Sequence, residues 1–196
     1  MTAAPLSLKG RALQWLAQRE HSRLELRRKL LRLARQRAAA LAAAAEAAEA
    51  AEAADAAEVA DAAGALATLG AASHRGAAEL AAEVDALLDW LQAERFLCDA
   101  RFVESHVNVR SPRYGNLRIR QELSQHGAVL DAGTAELLKD SEFARARAVW
   151  LRKYGGSAST LQERARQMRF LAGRGFSAEA IRRVMRGGTG ADDEAA

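Results

Sequence analysis

Apolar side chains recur along this chain with the spacing of one face of an α-helix, at i, i+3 or i+4, and i+7 or i+8. The clearest stretches are Leu8, Ala12, Trp15 and Leu16, and then Val84, Leu87, Leu88 and Leu91. Ala, Leu, Arg, Gln and Glu dominate, proline occurs only at positions 5 and 112, and a strict two-residue alternation is absent. Since these residues favour helices and alternation would indicate strands, we predict an all-α chain.

Capping residues and glycines divide the pattern into short helices. Ser22 and Thr160 each precede a glutamate by three residues, and Asp99, Ser141 and Ser177 are further candidate N-caps. Glycine, which commonly ends helices, follows the apolar pattern at positions 127, 155–156 and 187–188. The predicted helices form three groups: 8–18, 23–35 and 84–94; 100–109, 115–126 and 133–139; 141–153, 161–173 and 178–186.

An internal repeat of 48 residues relates these groups. It rests on the pairs Leu123 with Gly127 and Leu171 with Gly175, and on Leu137 and Met185, each ten positions after its glycine. The alternative is chance similarity, because Leu-x-x-x-Gly is a common pattern.

We therefore predict three tandem three-helix repeats, stacked into an elongated, gently curved molecule. The repeats cover 8–94, 99–139 and 141–186, and a disordered tail covers 187–196.

Residues 36–83 interrupt the first repeat with a different composition. They contain 26 alanines in 48 positions, and an acidic residue stands at every third position from Glu46 to Asp61. A three-residue period drifts by about 60° per step around a helix, so these acids leave no apolar stripe. We predict a helical or disordered insertion, followed by a loop near Gly70–Gly76. The insertion is either a solvated segment or an acidic interaction arm.

Removing the insertion changes the charge of the chain. The whole sequence has 29 basic and 25 acidic side chains, but residues 36–83 hold two basic and eight acidic ones. The remaining 148 residues therefore carry 27 basic and 17 acidic side chains, a net charge of +10. This balance favours a polyanion, or a protein already bound to one, as the partner.

Arginine supplies most of that charge, and its planar guanidinium suits phosphates and carboxylates. These arginines occur in groups along the sequence. Each group could instead be a solvated helix face, but a group of arginines recurs in every predicted repeat. The candidate binding residues are Arg28, Arg32, Arg35, Arg113, Arg118, Arg120, Arg164, Arg166, Arg169, Arg174, Arg182, Arg183 and Arg186.

Catalytic patterns are missing from the sequence. It contains no phosphate-binding Gly-rich loop, no nucleophile elbow and no His-Glu-x-x-His, so we expect no enzyme, metal or cofactor. A single cysteine, Cys98, permits no internal disulfide and favours a reducing compartment. Because the sequence also lacks a spanning apolar run and a secretory leader pattern, we expect a cytoplasmic protein that does not enter the membrane.

Four stretches resemble RecX proteins, bacterial regulators of the RecA recombinase. Gly10–Leu30 resembles the family's N-terminal signature, and Asp99–Val103 resembles the motif that opens its second repeat. Gly115–Leu123 is similar to the helix that follows, and Leu171–Phe176 to the turn of the third repeat. The resemblance covers most of the chain outside the insertion, where the family usually has a short connection.

The resemblance implies a non-enzymatic, monomeric protein of tandem helical repeats that acts in DNA repair, homologous recombination and the SOS response. Such a protein lies in the groove of the RecA filament on single-stranded DNA and restrains ATP hydrolysis, strand exchange and co-protease activity. Two other functions stay open: a DNA-binding module without sequence specificity, and a helical-repeat adaptor for an unrelated protein.

Overall fold

The chain folds into α-helices joined by short turns. The computed structural model describes residues 6–55, 65–156 and 158–187, and these residues form eight helices and no strand. The prediction of an all-α chain is confirmed. The helices are α1 (Leu8–Gln18), α2 (Arg23–Asp55), α3 (Ala65–Ala93), α4 (Asp99–Arg110), α5 (Asn116–Gln125), α6 (Ala132–Tyr154), α7 (Leu161–Gly173) and α8 (Ala178–Gly187).

Two compact units divide the chain, Met1–Cys98 and Asp99–Ala196. In the first unit, α2 and α3 run antiparallel, as two ion pairs between them show. Arg23 Nη2 lies 2.7 Å from Asp89 Oδ1, and Arg27 Nε lies 2.6 Å from Asp85 Oδ1. One hydrophobic core joins α1, α2, α3 and the segment after α3, and its buried members are Ala12, Leu26, Leu30, Ala34, Val84, Leu88, Leu91 and Leu97.

The start of α2 is fixed by the predicted cap. Glu25 N donates to Ser22 Oγ at 3.1 Å, which satisfies one of the main-chain donors that every helix start leaves open. The Glu25 carboxylate is held by Arg19 and lies 3.0 Å from Nδ1 of the buried His21. The full capping box is formed at α7, where Thr160 and Glu163 satisfy each other's main-chain N–H groups.

The alanine-rich insertion is helical in both of its described parts. Helix α2 continues to Asp55 and α3 begins at Ala65, so both extend far beyond the three-helix core. The side chains of 38–48 are exposed, as expected for a segment without an apolar stripe. The loop predicted near Gly70–Gly76 is wrong, because those residues lie within α3. Two glycines cost a helix about 1 kcal/mol each, which the high propensity of the surrounding alanines offsets.

The second unit has two hydrophobic cores, and α6 passes through both. The core formed with α4 and α5 contains Phe102, Val103, Ile119, Leu123, Ala128 and Leu138. The core formed with α7 and α8 contains Ala146, Val149, Trp150, Leu171, Phe176, Ala180, Ile181, Val184 and Met185.

The prediction of separate helices at 133–139 and 141–153 is wrong, since α6 is continuous over both. Ser141 is no N-cap, because its hydroxyl donates to Leu137 O, one turn earlier, at 2.8 Å. No glycine or proline stands at this point to end the helix. The predicted boundary between the second and third repeats therefore falls inside a helix, and the division into three repeats stays a prediction.

The 48-residue repeat is visible in two turns with the same hydrogen bonds. Ala128 N donates to Leu123 O at 3.0 Å, and Phe176 N donates to Leu171 O at 3.3 Å. The glycine before each donor has a positive φ, 68° at Gly127 and 80° at Gly175, a conformation that glycine adopts at low cost.

Beyond these turns the two copies diverge. Helix α6 begins five residues after Gly127, whereas α8 begins three residues after Gly175. The predicted equivalence of Leu137 with Met185 is therefore wrong: Leu137 is 71% exposed, Met185 is 5% exposed, and Leu138 takes the buried place. Of the predicted tail, residues 188–196 lie outside the described residues.

Candidate anion-binding surface

A buried glutamate on α6 ties two helix starts together. Glu142 is 5% exposed, and its Oε1 accepts hydrogen bonds from Asn116 N at 2.9 Å and from Ser177 N at 3.2 Å. Asn116 begins α5 and Ser177 caps α8, so one carboxylate oxygen serves the starts of both helices. Negative charge at a helix start is also favoured by the helix dipole.

Arg145, one turn after Ser141 on α6, holds the turn between α4 and α5 in place. Its Nη1 donates to Ser111 O at 3.1 Å and to Tyr114 O at 2.9 Å, and its Nη2 donates to Leu138 O at 2.8 Å. Burial lowers the pKa of Arg145, and the charge of Glu142 works against that shift. The position of the Tyr114 backbone thus depends on an arginine that the sequence analysis did not select.

The start of α5 and the turn between α7 and α8 approach each other closely. Gly115 N donates to Arg174 O at 2.9 Å, and Leu117 N donates to Gly175 O at 3.1 Å. A side chain on Gly115 would overlap the main chain of Gly175 and Phe176. This contact brings residues about 60 positions apart to one place on the surface.

At this place several arginines surround one tyrosine. The guanidinium carbons of Arg118, Arg110 and Arg174 lie 4.3, 5.1 and 5.7 Å from the centre of the Tyr114 ring. Arg174 also stacks on Phe170 at 4.8 Å and donates from Nη1 to Arg113 O at 3.1 Å. We call Arg110, Arg113, Tyr114, Arg118 and Arg174 the Tyr114 cluster.

Glu122 partly balances the charge of this cluster. It accepts hydrogen bonds from Arg110 Nε at 2.8 Å and from Arg118 Nε at 3.1 Å. Burial raises the pKa of Glu122, but the hydrogen bond from Arg118 and the charge of Arg110 outweigh it, so the net shift is downward. The guanidinium groups of Arg110, Arg118 and Arg174 around Tyr114 outnumber this one carboxylate, which leaves the surface positive. A groove of about 420 Å³ opens beside it, lined in part by Arg118 and Leu117.

A second group of arginines meets between α7 and α8. Arg164, Arg182 and Arg186 line a shallow cleft of about 280 Å³ together with Met168 and Met185. Arg182 and Arg186 are one turn apart on α8, and Arg164 reaches the cleft from α7. We call these five residues the α7–α8 cleft.

The remaining predicted residues do not join either group. Arg166 and Arg169 are exposed on α7 and do not line the cleft, and Arg183 packs over the Phe143 ring at 4.1 Å. Arg120 lines a separate cleft of about 410 Å³ with Leu123 and Ala128. In the first unit, three of the predicted residues are exposed on α2: Arg28, Arg32 and Arg35.

Sequence reasoning missed Glu142, Arg145, Arg110 and Glu122 as residues that build this surface. One signal was available for Glu142, since it lies one turn from the apolar positions Leu138 and Ala146 and therefore on the buried stripe of α6. A charged residue on such a stripe is rarely buried without a partner.

The described part of the chain shows neither a group of metal ligands nor a membrane-spanning helix. Nowhere in residues 6–55, 65–156 and 158–187 do three or more His, Cys, Asp or Glu side chains form a group that could hold a metal ion. None of the helices described there combines the length and the apolarity needed to cross a membrane.

Comparison with known proteins gives consistent matches. Residues 140–185 match the RecX third three-helix domain. Regulatory protein RecX of Ralstonia nicotianae is 40% identical over 185 residues, which cover 93% of this chain and 89% of the relative. The protein of the same description from Herminiimonas arsenicoxydans is 40% identical over 189 residues, covering 95% of each chain. That of Pseudomonas entomophila is 35% identical over 189 residues, covering 93% of this chain and 92% of the relative.

Proposed function

This chain belongs to the RecX family of regulatory proteins, and we propose that it regulates the RecA recombinase by binding in the groove of the RecA filament on single-stranded DNA. The observation that carries the proposal is the 40% identity with Regulatory protein RecX over 93% of the chain. In this role the protein restrains ATP hydrolysis, strand exchange and co-protease activity. It acts by occupying the groove as a monomer, without catalysis and without a cofactor.

The two arginine groups of the second unit support an acidic or phosphate-bearing partner. The Tyr114 cluster presents arginines whose positions are fixed by stacking and by hydrogen bonds to main-chain oxygens. Such guanidinium groups bind phosphate or carboxylate through two parallel hydrogen bonds. The aromatic ring among them also suits a nucleic acid, since arginine and aromatic faces both stack on bases.

We propose a separate role in filament binding for each group of residues. The Tyr114 cluster and the α7–α8 cleft contact the filament, and the arginines at positions 28, 32 and 35 extend the contact from the first unit. The insertion at 36–83 stays outside the groove, because its eight acidic and two basic side chains give it a negative charge that DNA phosphate and acidic protein surfaces repel.

The test is the DNA-dependent ATPase rate of RecA while this protein is titrated from far below to above equimolar. We expect inhibition well below one protein per RecA monomer. A variant with Arg113→Gln and Arg174→Gln loses two charged contacts, which should raise the half-inhibitory concentration about tenfold or more. The matched control changes two other exposed arginines, Arg147→Gln with Arg152→Gln, and should inhibit like the unaltered chain.

Binding to naked single-stranded DNA separates this function from a simple competitor for DNA. A competitor must bind the free strand tightly, with steep salt dependence, at the concentrations that inhibit. Such binding would favour the DNA-binding module, and a lack of inhibition even at excess protein would refute the regulator.

A further inference from the structure

A groove opens between α4 and α6 in the second unit, with a volume of about 810 Å³. Both helices pack against α5, but they make few contacts with each other. Lining residues run from Ala100 to Asn108 along α4 and from Thr134 to Ser141 along α6. At 1.5 Å per residue each wall is about 10–12 Å long, or about two helical turns. The groove therefore has the length of a short helical segment.

Apolar side chains line this groove, and two of them are strongly exposed. Val103 and Leu138 are buried and Val107 is half-buried, whereas Val129 is 85% exposed and Leu137 is 71% exposed. Single exposed apolar residues are common on protein surfaces, but exposed apolar residues that share one concave site are typical of interaction surfaces.

The charge at this groove is opposite to that of its surroundings. Its acidic lining residues are Asp99, Glu104 and Asp131, and Arg101 is the one basic residue among those that line it. The chain outside the insertion carries a net charge of +10. An acidic rim repels DNA phosphate and favours lysine or arginine beside an apolar surface. The groove therefore suits a protein segment better than a nucleic acid.

The two similar turns of the 48-residue repeat differ at the residue that meets this groove. Ala128 and Phe176 each follow a glycine with positive φ and make the same main-chain hydrogen bond. Phe176 is 2% exposed and belongs to the core in which α6 and α8 pack closely. Ala128 has only a methyl group at that place, and it lines the groove. The groove therefore has room for a bulky apolar side chain supplied from outside the unit.

We propose that the groove between α4 and α6 binds an amphipathic helix of a partner protein, with lysine or arginine beside an apolar stripe. The apolar stripe packs on Val129 and Leu137 and places a bulky side chain beside Ala128, while the cations pair with the acidic rim. This docking goes beyond the proposed function and is independent of it, since it requires neither RecA nor DNA.

The test uses the full-length protein and a fluorescein-labelled synthetic peptide, Leu-Lys-Lys-Leu-Leu-Lys-Leu-Leu-Lys-Lys-Leu-Leu-Lys-Leu, which is about four helical turns long. Fluorescence anisotropy gives its dissociation constant. The variant Val129→Ser with Leu137→Ser loses two apolar contacts and should raise that constant about tenfold or more. The control, Val109→Ser with Leu161→Ser, changes side chains that are 68% and 87% exposed outside the groove, and should bind like the unaltered protein.

Two further variants test the charge and the space of the groove. Glu104→Lys should raise the dissociation constant about threefold to tenfold at low salt and less at high salt, whereas Glu136→Lys changes an exposed glutamate of α6 outside the lining and should have little effect. Ala128→Phe supplies a phenyl ring from the chain itself and should abolish binding. Circular dichroism checks the helix content of each variant. The serine variants change exposed positions, so they decide the question even where Ala128→Phe disturbs the core.

Three results would overturn the proposal. The first is equal affinity of the unaltered protein and the variant Val129→Ser with Leu137→Ser. The second is a lack of binding up to about 1 mM peptide. The third, seen by sedimentation, is a dimer of the unaltered protein that becomes a monomer in this same variant, because that result assigns the groove to a second copy of the chain.

Discussion

Removal of the Glu142 carboxylate tests how the second unit is held together. In Glu142→Ala, the main-chain N–H groups of Asn116 and Ser177 lose the oxygen that they share. Asn116 is buried and Ser177 is half-buried, and an unsatisfied donor in such a place costs about 1–3 kcal/mol. Arg145 also loses a nearby opposite charge. The expected loss is about 4 kcal/mol, a large part of the stability of a unit of this size.

The variant Glu142→Gln separates the charge from the hydrogen bonds. Its amide keeps an acceptor oxygen, so both N–H groups remain paired, but hydrogen bonds to a charged group are stronger than those to a neutral one. We expect a loss of about 1–2 kcal/mol. Glu136→Ala removes an exposed glutamate from the same helix and should change stability by less than about 0.5 kcal/mol.

Urea unfolding of the full chain, followed by a signal that comes from the second unit only, measures these losses in the free energy of unfolding. The chain has three tryptophans, of which Trp150 lies in the second unit, buried and hydrogen-bonded to Gln167. Replacing Trp15 and Trp90 by phenylalanine leaves Trp150 as the sole indole reporter for that unit. At an m-value of about 2 kcal/mol per molar, the alanine variant should unfold about 2 M earlier. A shift of less than about 0.5 M would refute the bridging role of Glu142.

Two further predictions concern the first unit and the close contact in the second. Burial raises the pKa of Glu25, but the hydrogen bond from Arg19 and the charge of His21 outweigh it and bring the pKa to about 2, below the ordinary 4.5. The ionised form therefore stabilises the fold above pH 4.5 by about 3 kcal/mol at most, and this contribution disappears as the pH falls from about 5 to about 2. Glu25→Gln should flatten that acid dependence, measured by urea unfolding of the first unit at pH 6 and pH 3; an unchanged dependence would contradict the assignment. Gly115→Ala should cost about 2–3 kcal/mol or more, because its Cβ would overlap the main chain of Gly175 and Phe176, whereas Gly156→Ala has open space around the new methyl group. Thermal unfolding of the two glycine variants compares them directly, and equal melting temperatures would show that the contact yields easily.

The helices and their turns were predictable because their signals are local. A 3.6-residue period of apolar side chains is enough to place α1, and a glycine with positive φ marks the end of α5 and α7. The cap at Ser22 follows from the same short-range chemistry. These features depend on neighbours within one or two turns, which a single sequence contains.

The continuity of α6 was not predictable in the same way. A serine before a helix-forming run is a good N-cap, but the same hydroxyl can donate to the carbonyl one turn earlier inside a helix. Ser141 takes the second option. The tertiary contacts of Glu142 and Arg145 with Asn116, which join α6 to the start of α5, favour a continuous helix over a break.

The grouping of arginines on the basic surface was even less predictable from the sequence, because it also depends on tertiary contacts. Arg164, Arg166 and Arg169 are close together in the sequence. At 100° per residue, however, Arg164 and Arg166 lie about 160° apart around the axis of α7. Arg164 meets arginines of α8 instead, and Arg174 meets Tyr114, which lies 60 positions earlier in the chain. Which cations share a surface is decided by packing between helices, and a single sequence does not record it.

The contacts between the start of α5 and the turn after α7 also prepare Arg174 for an anion. Its carbonyl accepts from Gly115 N, and its guanidinium donates to Arg113 O while stacking on Phe170. An arginine whose main chain and guanidinium group are both held has already lost much of its rotamer freedom in the folded protein. Binding a phosphate or carboxylate therefore costs less ordering entropy here than at a freely moving surface arginine. By the same reasoning, loosening the Gly115 contact weakens the Tyr114 cluster as an anion site without changing its charge.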